Sequence, residues 1–99
     1  MAIAELVVVP LGTGTSISKY VAQCHEVLDR SGLKYQLTPM GTVVEGSLAE
    51  IMAIAEKMHE VPFQNGAQRV STSIRIDDRR DKEITMEGKI AAVEEKKIK

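Results

Sequence analysis

The chain has 99 residues, 43% of them hydrophobic and 27% charged, and a formal net charge of −1. That length fits one domain with a modest core, so residues 1–99 read as a single unit. The near balance of charge excludes a global field toward nucleic acid or anionic lipid. One Phe, two Tyr and no Trp leave few stacking platforms for single strands.

One cysteine, Cys24, rules out an intrachain disulfide and suits a reducing compartment. No basic segment precedes the first apolar run, and the run over residues 6–11 is too short to span a bilayer. A cytoplasmic protein without membrane association is therefore expected.

Residues 3–9 are rich in β-branched side chains and end at Pro10, which predicts a buried strand. Residues 11–16 form a loop of small residues, Gly12, Thr13, Gly14, Thr15 and Ser16 among them. Ile17, Tyr20, Val21, Cys24, Val27 and Leu28 then recur at helical spacing, with Ser16 as N-cap and Gly32 at the C′ position. Two short strands follow, residues 34–38 and 42–45, separated by Pro39, Met40 and Gly41. Ser47 and Glu50 make a capping box that opens a second helix, expected to end at Val61 before Pro62.

Residues 69–77 alternate cleanly. Val70, Thr72, Ile74 and Ile76 share one face, and Arg69, Ser71, Ser73, Arg75 and Asp77 share the other. The wholly charged residues 77–83 come next, and Met86, Ile90 and Val93 mark a last, narrow-striped helix. The predicted order is βαββαβ plus a C-terminal helix. The fold class is α+β: a ferredoxin-like sandwich with a four-stranded antiparallel sheet and two helices on one face. Its other face must meet water, a ligand or a second subunit.

Catalytic constellations are scarce. His25 and His59 lie on predicted helices without His or Cys at metal spacing, so no metal site is expected. Cys24 and His25 are adjacent and should point apart on a helix, which favours a buried thiol and surface imidazoles over a nucleophile. The loop over residues 11–16 offers amides and hydroxyls at a helix start. It reads either as a phosphate cradle or as a plain β-to-α turn, but it lacks a P-loop lysine. Glu45 could meet an amino-pyrimidine or a cation, or pair with Arg69 or Arg75 across the sheet. The charged run reads as a solvated loop, or as an intersubunit or anion site using Arg79 and Arg80.

Three segments together resemble the thiamine-binding protein family: VPLGTGTSISKYV at residues 9–21, LTPMGTVVEG at 37–46 and RVSTSIRIDDRRDK at 69–82. The resemblance spans essentially the whole chain. It implies a ferredoxin-like fold, dimers that pair through their sheets, and homotetramers. It also implies non-catalytic binding of thiamine or its hydroxymethylpyrimidine part, as a carrier, buffer or sensor, with no cofactor. By that resemblance the polar contacts are Ser16, Ser18, Thr38, Thr42 and Glu45, with Met40 as an apolar wall. The alternative is an assembly module whose open sheet face joins subunits, with any ligand incidental. An enzyme acting on a phosphorylated metabolite ranks last, because no general base with a positioned partner can be named.

Overall fold

The computed structural model describes residues 1–12, 14 and 18–97. Seven elements follow in chain order: β1 (Ala2–Pro10), α1 (Ser18–Ser31), β2 (Lys34–Thr38), β3 (Gly41–Gly46), α2 (Leu48–Gln64), β4 (Val70–Asp78) and α3 (Met86–Lys97). The strands form one antiparallel sheet in the order β2-β3-β1-β4. Each βαβ half is therefore split by a strand of the other half, as the predicted order requires.

Strand alternation assigns the faces. Ala2, Ala4 and Leu6 of β1 point to the side that carries α1 and α2. There they pack with Cys24, Leu28, Val44, Ile51, Ile54, Ala55 and Met58. Leu28, Val44 and Ile51 have no accessible surface, so this cluster is the main core. The opposite face holds a smaller apolar patch of Ile3, Ile84 and Met86 with Val43 beside it. On β4 the register puts Ile74 and Ile76 opposite Leu6 and Ala4, and Ser73 and Arg75 opposite Val7 and Glu5. The alternation read from residues 69–77 thus holds.

Local signals account for most helix ends. Gly32 follows α1 at φ +75°, the left-handed conformation expected at C′. In the capping box the Ser47 hydroxyl accepts from the Glu50 amide at 3.2 Å, and Glu50 Oε1 accepts from the Ser47 amide at 3.0 Å. The Ser47 backbone bond holds the Glu50 carboxyl below the usual glutamate range.

The C-terminus of α2 departs from expectation. The helix does not stop at Val61; it carries Pro62 inside its last turn and ends at Gln64. Proline has no N–H, so the Met58 carbonyl loses its i+4 donor. The Cys24 thiol lies 3.6 Å from that carbonyl and donates to it. Burial pushes the thiol up to about 11, so it keeps its proton and can act as donor. A contact from α1 thus replaces the bond that Pro62 removes. The two imidazoles also differ from expectation. Neither is a plain surface group: His25 and His59 are half-buried, and each meets a sheet threonine.

Helix α3 stands apart. Every described residue after Met86 is exposed, including Ile90 and Val93. The radius of gyration is 15.0 Å, against roughly 13 Å for a compact chain of this length. Arg79 pairs with Asp81 and Arg80 with Asp78, at the exposed end of β4 and in the loop that leads to α3.

The Cys24–Pro62 compensation predicts a thermodynamic coupling. Cys24→Val should destabilise the fold by about 1–2 kcal/mol, because the Met58 carbonyl loses its donor. In a Pro62→Ala background the helix regains an N–H for that carbonyl, and the same substitution should cost measurably less. Urea unfolding of the four variants of the cycle reads the difference.

Candidate functional site

The β1–β3 pairing ends at Leu6 and Thr42, while β1 continues beside β4 as far as Pro10. Strand β3 does not reach that far, because it begins only at Gly41, after the chain has turned out of β2 at Pro39 and Met40. Past the end of β3 the sheet therefore narrows, and a cleft opens between residues 7–9 of β1, the first half of α1 and the β2–β3 turn. Its volume is about 680 Å³. That falls in the range of small-molecule sites, which are concave, mostly apolar and few per protein.

The walls are assembled from three elements. Ser18, Val21, Ala22 and His25 come from one stripe of α1. Leu37, Thr38, Pro39, Met40, Gly41 and Thr42 come from the hairpin, and Leu6 to Val9 form the floor with Cys24 and Met58 behind. The turn is held tightly. The Thr38 hydroxyl donates to the Gly41 carbonyl at 2.9 Å and accepts from the Met40 amide at 3.3 Å. Gly41 has φ +154°, and a Cβ there would meet Val7 Cγ2 at 3.0 Å and the Leu6 carbonyl oxygen at 3.1 Å. Only glycine lets the hairpin close this near to β1.

Polar groups within the cleft are few and engaged. His25 Nε2 lies 3.2 Å from the Thr42 hydroxyl, with the direction of donation set by the tautomer. The same imidazole makes an edge contact with the Tyr35 ring at 5.2 Å between centroids. Thr42 is itself buried. Met40, by contrast, is 80% exposed at the rim. A long, polarizable side chain there can fold over a bound ring.

The structure brings Ser18, Thr38, Met40 and Thr42 together around this cleft. Ser16 lies outside the described residues, as do Thr13 and Thr15 of the glycine loop. Glu45 is not brought to the cleft. It lies on the opposite face of the sheet, buried beside Ile3 and across from Lys34. Its Oε2 accepts from the Met86 amide at 3.2 Å, the first residue of α3. A carboxylate at a helix N-terminus is favourable both as an acceptor and against the helix dipole. Thr85 completes the cap by accepting from the Gly88 amide at 2.9 Å. Glu45 thus pairs with neither Arg69 nor Arg75. Nearby, Lys34 and Glu87 form an ion pair, and that bond holds the lysine above its ordinary range, with the charge of Glu45 adding.

His25 is the cleft residue that reading the sequence missed. Its signal was present: Ser18, Val21, Ala22 and His25 fall at i, i+3, i+4 and i+7, one stripe of α1. Among the described residues no cluster of His, Cys, Asp or Glu has the arrangement of a metal site. None of the described helices is long and apolar enough to cross a membrane.

Comparison with known proteins agrees on one family. The family model described as thiamine-binding protein matches residues 4–94. The UPF0045 protein YqgV of Bacillus subtilis is 50% identical over 98 residues, 94% of each chain. A UPF0045 protein of Staphylococcus xylosus is 48% identical over 99 residues, covering 95% of this chain and 92% of its own. Among solved structures, a hypothetical protein of Methanocaldococcus jannaschii superposes with a TM-score of 0.86 at 42% identity, over 95% of this chain and 96% of that one. A protein of Thermotoga maritima, proposed to act in thiamine biosynthesis or salvage, superposes with a TM-score of 0.78 at 25% identity. That match covers 93% of this chain and 97% of the other.

The position of Glu45 carries its own prediction. Glu45→Ala should leave the Met86 amide without an acceptor and cost about 1 kcal/mol or more. Amide exchange in the first turn of α3 should speed up, while amides of α1 around His25 stay unchanged. Hydrogen-exchange NMR distinguishes the two regions.

Proposed function

The chain belongs to the thiamine-binding protein family, and from that membership and the cleft we propose that it binds thiamine or its hydroxymethylpyrimidine part between α1 and the β2–β3 turn. The observation that carries this reading is the cleft: a mostly apolar space of about 680 Å³ whose walls include four of the six residues singled out in the sequence. An aminopyrimidine ring suits such walls. Leu37, Met40 and Met58 offer apolar and sulfur contacts to its faces, and the His25–Thr42 pair offers a polar edge.

The role is that of a cytoplasmic binder, acting as carrier, buffer or sensor. Binding rather than catalysis is supported by the engagement of the cleft's polar side chains. The Thr38 hydroxyl holds the turn, the Cys24 thiol holds the Met58 carbonyl, and Thr42 is paired with His25.

Titration calorimetry tests the reading. Thiamine or hydroxymethylpyrimidine should saturate at one site per chain. Thr42→Val should weaken the binding about tenfold, the equivalent of one good polar contact. Glu45→Gln should change the affinity by less than about twofold, since its carboxylate lies on the other face. Absence of saturation with either compound at millimolar concentration contradicts the proposal.

A second reading, self-association, is supported by β4. This strand forms one edge of the sheet, is nine residues long and is paired to β1 throughout, without proline. Ile74 and Ile76 on its helix-side face are 38% and 37% exposed. Long flat edges with apolar residues invite a second strand, and natural proteins normally blunt them. Antiparallel pairing of two β4 strands about Ile76 would set Arg75 of each chain opposite Asp77 of the other. The homotetramer expected from the sequence would need a further contact, for which the exposed Ile90 and Val93 of α3 are available. Wild type should sediment as a dimer or larger, and Ile76→Asp should shift it to the monomer. A monomeric wild type at high concentration removes this reading.

A further inference from the structure

Strand β1 has backbone groups that its neighbours leave unpaired, and the register identifies them. The Leu11 amide donates to the Arg69 carbonyl at 2.9 Å, so Leu11 directs its main-chain groups toward the β4 side. Along an antiparallel strand the direction alternates from residue to residue. Val9 and Val7 therefore also face β4, while Val8 and Leu6 face the β3 side. Leu6 is met there by Thr42, the last β3 residue in register with β1. Val8 is not: β3 has already turned away through Met40 and Pro39, and the Met40 amide bonds to the Thr38 hydroxyl instead. Among the described residues, nothing on that side pairs with the N–H and C=O of Val8, and Val8 lines the cleft.

We propose that the Val8 N–H and C=O form the reading edge of the cleft, a donor and an acceptor side by side that pair with a flat heteroaromatic ring carrying a ring-nitrogen acceptor next to an exocyclic amine. This assignment rests on the cleft being the ligand site. An unpaired strand edge against apolar walls is costly unless a partner satisfies it. A planar ring can slide into the gap that β3 leaves and present the complement of a peptide group. The 4-aminopyrimidine edge, shared by thiamine and hydroxymethylpyrimidine, has that complement: its ring nitrogen accepts from Val8 N–H, and its amine donates to Val8 C=O. The geometry also explains how a cleft whose Thr38 hydroxyl and Cys24 thiol bond to backbone carbonyls, and whose Thr42 hydroxyl pairs with His25, can still select a polar ligand. The selecting groups belong to the main chain and are held rigidly by the β4 pairing on the other side of β1.

The test uses the wild-type chain with ¹⁵N-labelled valine, followed by NMR during titration with thiamine and, separately, with hydroxymethylpyrimidine. At saturation the Val8 amide proton should move downfield, and its exchange with solvent should slow at least roughly tenfold. A pyrimidine analogue with methyl in place of the amine should bind roughly three- to tenfold more weakly. Saturable binding that shifts Val7, Val9 or Val21 and leaves the Val8 exchange rate unchanged overturns the assignment while the cleft stands. Failure of both compounds to saturate any amide shift overturns the cleft as a thiamine site, and this assignment with it.

Discussion

Strand β1 pairs with β4 along its whole length but with β3 only from Ala2 to Leu6. A sheet interior normally has neighbours on both sides, which satisfy every backbone group and bury both rows of side chains. Here one neighbour is missing for the last stretch of a central strand. The helices still cover the side chains from one face, so the gap becomes a cleft and not a frayed end. The hairpin that closes its mouth depends on Gly41, whose φ of +154° strains an L residue and where a Cβ would crowd Val7 and the Leu6 carbonyl. Cleft shape, exposed main-chain edge and turn position all follow from this one difference in strand length.

The two faces of the sheet carry separate tasks. On the helix side, α1 and α2 are locked together by the core around Leu28 and Ile51 and by the bond from Cys24 to the Met58 carbonyl. That lock fixes α1 from its middle, and so fixes His25 and the wall above the cleft. On the other face, Glu45 and the Ile3–Met86 patch anchor the start of α3. The remainder of α3 reaches away from the body with Ile90 and Val93 uncovered. A loss of α3 contacts therefore need not disturb the cleft, because Glu45 and Thr42 sit on opposite sides of β3.

Much of this was legible in the residues. The Ser47–Glu50 box, Gly32 after α1 and the period-two pattern of β4 each have a local physical cause, and each appears where it was expected. Glu45 needs the strand alternation as well as the motif. Strict alternation from Thr42 puts Val44 on the same face and Val43 and Glu45 on the other, so a cleft on one face cannot use both Thr42 and Glu45. The pattern was visible, but the family resemblance grouped the segment as one. The passage of α2 through Pro62 could not be read locally, because the compensating donor, Cys24, comes from a residue far away in the chain. The Val8 edge was likewise hidden, since it arises from where a neighbouring strand stops.

A crystal structure of the chain grown with thiamine would locate the ligand. Density for the pyrimidine ring is expected in the gap beyond β3, flanked by Met40 and His25, with its amine edge toward Val8. Density for the ligand on the opposite face of the sheet, beside Glu45 and α3, would contradict that placement.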